Sequence, residues 1–356
     1  MRLTCFLLIC CGAGATVARA QNNPPTPSRL FLEPAAPPLT LRLETDLHAL
    51  TRDRGKERKS HPATLHFGPA GGGGGGAAAA DTGTVAVKLK TRGIFRLKRC
   101  GFPPIRLDLP SHKVEGTPFA GEDRLKLVTH CQGDRLYERN LLREYALYRA
   151  FNTVTDSSFR VRLAHMTYID SARHDTVTRY GFLLESDAGL GRRISASPLT
   201  ADNLYDPIMD PSYMTLVSVF QYLIGNTDWS VYKRHNIAIF QQPTEPRSLF
   251  AVPYDFDFSG AVNAPYASPP EQLTIRSVRE RVYRGFCQPD SVLAPVLARF
   301  RSAKDSMYAA VRAVPDLPER DARDVLEYFD DFYKVLDNRG SVNREFVRGC
   351  RPQPRP

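Results

Sequence analysis

Between Thr82 and Ser186 apolar residues return at every second position in one run after another, and beyond Pro211 the spacing turns helical. TVAVKLKTRG, FPPIRLDL, DRLKLVTH, SFRVRLAHMTYIDS and TVTRYGFLLES all alternate, as strands do when one face is buried and the other is wet. The last two, separated by ARHD, predict a β-hairpin. One helix interrupts them: DRLYERNLLREYALYRAFNTV carries Leu136, Leu141, Leu142, Tyr145 and Tyr148 near helical spacing, with Asp134 as its N-cap. PSYMTLVSVFQYLIGN then reads as an apolar helix, and NIAIF and LFAVPYDFDF as short strands. PPEQLTIRSVRERVYRGF, VLAPVLARFRSAKDSMYAAVRAV and RDARDVLEYFDDFYKVLDN read as helices. Strands followed by helices give an α+β class, with no internal repeat.

The start of the chain sets the compartment. Residues 1–20 run from Arg2 through an apolar stretch to Ala18 and Ala20, the order of a signal peptide cleaved after Ala20, so a secreted or periplasmic location is expected. That stretch is too short to cross a hydrocarbon layer of about 30 Å, and no later segment has the roughly 18 uninterrupted apolar residues of a span. No integral membrane span is expected. Residues 21–81, with NNPPTPS, EPAAPP, TRDRGKERKSH and GPAGGGGGGAAAA, bury too little apolar surface to offset chain entropy and predict a disordered Pro/Gly-rich linker. Within it LTLRLETDLHAL is a candidate short strand or helix. Residues 82–186 are then a strand-rich N-terminal lobe with one helix, and 187–356 a helical C-terminal lobe.

Of seven cysteines, three lie in the signal. The remaining Cys100, Cys131, Cys287 and Cys350 are an even count in an oxidising compartment, which predicts two disulfides. Three pairings are open; Cys100 with Cys131 and Cys287 with Cys350 keeps each pair within one half of the chain, and free buried thiols are the alternative. The absence of CxxC spacing argues against structural zinc, and His130, His165 and His235 read as satisfied polar residues. Net charge is +10, of which Arg2 and Arg19 belong to the signal. The surplus favours anionic partners, but an exported chain does not meet a genome, so nucleic acid is not an expected partner.

Chemistry concentrates in two segments. IGNTDWSVYKRHNIAIF ends a helix at Gly225, puts Asp228 in the following loop and sets Asn236 before a strand; VPYDFDFSG puts Asp255 and Asp257 at the end of another. Carboxylate and amide oxygens at two strand ends suit a hard divalent cation such as Mg2+ or Mn2+, which takes few protein oxygens and completes its shell with phosphate and water. That is the metal chemistry of phosphoryl transfer. Alternation of Asp255 and Asp257 with Phe256 and Phe258 also fits a plain surface strand.

TRG at 91–93, FRLKR at 95–99, ERNLLREYALYR at 138–149, GNTD at 225–228, HN at 235–236 and PYDFDFSG at 253–260 together resemble the spore-coat protein H (CotH) kinase-like family. The likeness spans residues 82–260. It implies a two-lobe protein-kinase-like fold and a phosphotransferase using ATP or another nucleotide, with an exported protein or glycan as acceptor. By the same resemblance FRLKR is a basic strand, Asp228 orients the attacking hydroxyl, and Asn236, Asp255 and Asp257 hold the metal. Lys126 contacts phosphate while paired with Glu144, and FLLES at 182–186, with Glu185, is a hinge for the purine. Lys88, Lys90 and Lys98 compete with Lys126. With no G-x-G-x-x-G loop, phosphate cover falls to Arg92, Arg96 or Lys98. The strings TRGIFR, CGFPPIRL, LKLVTHC and SFRVRLAHMTYID are also similar to a group of exported bacterial proteins of unassigned function, and that likeness puts Cys100 and Cys131 on neighbouring strands. Two other classes compete: a catalytically silent binding or cell-surface module displayed on the tether, and a metal-dependent glycosyltransferase using Asp255-Phe-Asp257, although no βαβ signal accompanies that D-x-D.

Overall fold

A computed structural model describes residues 28–32, 36–68, 83–200, 204, 208–243 and 248–353. The expected signal peptide and most of the Gly-rich run lie outside the described residues. In chain order come β1 (Leu39–Thr45), α1 (Leu47–Arg52), β2 (His61–Phe67), β3 (Gly83–Thr91), α2 (Phe95–Arg99), β4 (Ile105–Asp108), β5 (Arg124–Val128) and α3 (Arg135–Val154). They are followed by β6 (Val161–Asp170), β7 (Thr176–Leu184), α4 (Asp187–Arg193), β8 (Ser197–Leu199), α5 (Pro211–Ile224), β9 (Ile237–Gln241), β10 (Leu249–Pro253), α6 (Asp290–Arg312) and α7 (Glu319–Leu336).

Seven strands close into a barrel in the order β1-β2-β3-β4-β5-β7-β6. Every neighbouring pair is antiparallel except β1 with β6, which run parallel and complete the ring. Alternation in the sequence becomes inside and outside here. Leu41, Leu43, Leu65, Val85, Val87, Leu89, Leu107, Leu125, Met166 and Tyr168 fill the interior, each large aliphatic side chain stabilising the barrel by about 2 kcal/mol. Closure leaves no strand edge exposed to further pairing.

This overturns the two-lobe kinase-like expectation. The architecture is a barrel-containing α+β fold, because β1 and β2 come from residues read as linker and add the strands that shut the sheet. LTLRLETDLHAL is both of its alternatives in turn: β1, then α1, capped by Asp46, whose side chain accepts from Ala49 N. FRLKR is not a strand but the short helix α2, since Gly93 at φ +84° turns the chain after β3.

Against β6 and β7 lies α3, and α5, α6 and α7 pack with it around one large core. The expected cap holds: Asp134 accepts from Leu136 N at 2.6 Å. A second, three-stranded antiparallel sheet runs β10-β9-β8, and Trp229 packs under it with Met209, Val231 and Ile237. At the end of α5, Gly225 adopts φ +65°, where a Cβ would collide with the Tyr328 hydroxyl. Residues 269–286, expected to be helical, are a non-helical strap. Two prolines open it, and its arginines are spent on carbonyls: Arg281 on Leu223 and Tyr328, Arg284 on Thr227 and Trp229.

Both disulfides pair as expected, Cys100 with Cys131 and Cys287 with Cys350, which fits a chain matured in an oxidising compartment. Among the described residues no helix is long and apolar enough to cross a membrane.

Candidate functional site

Asp228 sits three residues beyond the α5 cap Gly225, and its backbone N–H donates to Asn226 Oδ1 at 3.0 Å. Arg284 grips the carbonyls on both sides of it, those of Thr227 and Trp229. One carboxylate oxygen, Oδ1, meets His235 Nε2 at 2.9 Å; the other, Oδ2, accepts from Asn236 Nδ2 at 3.0 Å. Because Asn236 Nδ2 also donates to the Asp228 carbonyl at 2.8 Å, its amide orientation is fixed and Oδ1 is left as an acceptor. The hydrogen bond to Asp228 raises the pKa of half-buried His235, against the opposing effect of burial.

Asn236 and Asp255 both adopt left-handed backbone, at φ +54° and +65°, a conformation costly to most L residues and concentrated at functional positions. Both lie at the end of the β9–β10 ladder where Ile237 pairs with Pro253, and Tyr254 N donates to Asn236 O at 3.0 Å there. The N–H of Asp255 donates to the buried Tyr148 hydroxyl at 2.7 Å. Two residues on, Asp257 is 3% exposed and accepts from Tyr266 Oη at 2.9 Å. Burial first, and then the nearby Asp255, push its carboxyl up to about 7, with Arg96 and Tyr266 pulling the other way.

The barrel and α3 supply the opposite wall. Glu144, from α3, is 1% exposed, with Oε1 unpartnered. Burial, then Asp257 and Asp255, raise its pKa well above the usual carboxylate range despite Arg96 and Arg92. Arg92 follows β3 and Arg96 lies on α2; Arg96 Nε is 4.0 Å from Asp257 Oδ2, and its Nη2 donates to the Thr129 carbonyl. Burial depresses the pKa of Arg92, partly offset by Asp255; for Arg96, Tyr266, Asp257 and Glu144 outweigh burial and raise it. Lys126 reaches over the Tyr254 ring, 4.7 Å from its centroid. Burial lowers its pKa, with Asp187 opposing.

Asp228, Asn236, Asp255, Asp257, Arg92, Arg96, Glu144 and Lys126 therefore meet in one region, but two expected contacts are not made. Lys126 pairs not with Glu144 but with Asp187, Nζ to Oδ1 3.5 Å. Glu185 is consumed by the scaffold: its N–H donates to Arg160 O, and its carboxylate accepts from Arg193 at 2.9 and 2.7 Å and from Arg160 N at 3.0 Å. Its N–H and carboxylate are thereby engaged within the scaffold. The D-x-D alternative loses its context too, since β8, β9 and β10 are antiparallel throughout. Sequence reasoning missed His235 as a partner of Asp228, Arg284 as its clamp, and Tyr148 and Tyr266; an R-x-R-x-x-R string at 279–284 was the one visible hint.

No family model matches the chain, and no curated protein matches it either. The site's own chemistry has to carry the functional reading.

Among the described residues no three His, Cys, Asp or Glu side chains stand close enough to hold a metal alone. The donors on offer are Asn236 Oδ1 and the carboxylates of Asp255 and Asp257. Three such donors are too few for a closed protein cage, and a cation held by them would complete its shell with other oxygens. Burial first, and then the proximity of Asp255 and, for Glu144, of Asp257, raise Asp257 and Glu144, a pattern found at functional sites.

Proposed function

We propose that this chain is an exported phosphotransferase that uses ATP or another nucleotide with Mg2+ or Mn2+, acting on a hydroxyl of an exported protein or glycan. The reading rests on one observation: Asp228 is held at both oxygens by His235 and Asn236, while Asn236 and Asp255 sit in left-handed backbone at the same end of one β-ladder. The ordered residues that resemble the spore-coat protein H family support it; the fold does not enter the argument. A secreted or periplasmic location, with cleavage after Ala20, belongs to the same proposal.

Asp228 orients the acceptor hydroxyl and takes its proton on a lone pair that His235 and Asn236 leave free. Asn236 and Asp255, supported by Asp257, would hold the metal, which when bound offsets charge on the phosphates. Arg92, Arg96 and Lys126 face the phosphates from the barrel side, and Glu144 keeps the two arginines oriented. Tyr148 fixes the Asp255 backbone so that its carboxylate is preorganised.

Thermal melting tests the reading. With magnesium and ATP at about 100-fold over Kd, the linkage gain of about 2.7 kcal/mol raises Tm by roughly 5 °C, and Asp255→Ala abolishes the rise. No shift at millimolar ligand refutes it. One observation favours a second reading, a catalytically silent binding module: Lys126 is paired with Asp187 and not with Glu144. In that case Asp228→Ala and Asp255→Ala leave partner binding intact.

A further inference from the structure

The outward face of β3, β4 and β5 carries Lys88 and Lys90, Arg106 and Asp108, and Arg124 and Lys126. Five of these six are basic. The register sets Lys90 opposite Arg106 and Arg106 opposite Lys126, so three cations share one cross-strand row, and Lys88 faces Asp108, which faces Arg124. Like charges placed directly opposite each other destabilise a sheet, so folding alone does not explain the row. Compensation is thin: Asp108 serves both Arg106, at 2.8 Å, and Arg124, at 3.5 Å, and Lys126 leans to Asp187. Lys88 and Lys90 form no ion pair among the described residues. At its β5 end the row runs into the candidate site, since Lys126 lies over Tyr254, next to Asp255.

We infer that this face docks an extended acidic polypeptide segment, which delivers the acceptor hydroxyl to Asp228. Basic side chains on alternate residues of one strand lie about 6.6 Å apart, which is also the spacing of carboxylates at alternate positions of an extended peptide. No aromatic side chain projects from these six positions, so the face lacks the stacking platform that single-stranded nucleic acids use. As an acceptor surface it rests on the phosphotransfer reading; as an anion surface it stands without it.

The test is fluorescence anisotropy on the full chain, without nucleotide or metal, using a labelled octapeptide of alternating Glu and Ser against one of alternating Lys and Ser. The acidic peptide is expected to bind, to weaken as salt rises, and to lose about tenfold or more in affinity in Lys88→Glu/Lys90→Glu, whose side chains, exposed at 88 and partly exposed at 90, take no part in the catalytic proposal. Asp255→Ala should bind it as wild type does, which separates this inference from the nucleotide site. Equal affinity in the charge-reversed variant, or binding of a sulfated polysaccharide with none of the acidic peptide, overturns it.

Discussion

Replacing Asp257 with Asn isolates the cost of keeping a carboxylate in this site. Its pKa climbs from the ordinary 3.8 to about 7, chiefly through burial and then Asp255. A group whose folded pKa exceeds its unfolded one favours folding while protonated: the contribution is intact below about pH 4 and is lost as pH rises through 7. That displacement is worth about 4 kcal/mol. Asn preserves the shape, still accepts the Tyr266 hydrogen bond, and has no charge to desolvate. Asp257→Asn should therefore match wild type at pH 4 and exceed it by about 2–4 kcal/mol at pH 8, in urea unfolding followed through the buried Trp229 with both disulfides intact. Lower stability at pH 8, or the same difference at both pH values, would mean that Arg96 holds an ionised carboxylate in place and that burial does not dominate.

Three other perturbations report on the supports of the site. The His235 imidazole should titrate above 6.5 by NMR and fall back toward it in Asp228→Asn, because the hydrogen bond that its ring donates to Asp228 is what raises it; an unchanged titration would dissolve the pairing. Gly225→Ala should cost roughly 3 kcal/mol or more in denaturant unfolding, from left-handed backbone and the Tyr328 hydroxyl together, and part should return in the background of Tyr328→Phe; a cost under about 1 kcal/mol contradicts the packing. Arg193→Ala strands buried Glu185 and should cost about 3–5 kcal/mol, whereas Arg193→Met with Glu185→Gln recovers most of it.

Much of this could be read from one-dimensional pattern. The period-two runs give β3 to β7, helical spacing with Asp134 gives α3, and the order of Asp228, Asn236 and Asp255 marks the region where they meet. Barrel closure could not be read the same way, because β1 and β2 lie among prolines, charges and glycines and become strands by pairing with β6 and β3, which local composition does not reveal. The strap at 269–286 misled for a related reason: its apolar spacing is helical, but Arg281 and Arg284 bind distant carbonyls more favourably than a helix would allow. Pairing of ions was the least legible level. Lys126 chooses Asp187 over Glu144, and Glu185 chooses Arg193, on distances that only the folded chain defines.

Anomalous diffraction from crystals grown with Mn2+ and a non-hydrolysable ATP analogue tests the phosphotransfer site most directly. A manganese peak about 2.1 Å from both Asn236 Oδ1 and an Asp255 carboxylate oxygen is expected, with phosphates toward Lys126 and Arg92. Manganese and nucleotide bound elsewhere, or absent at saturating concentration, would contradict the assignment of that site.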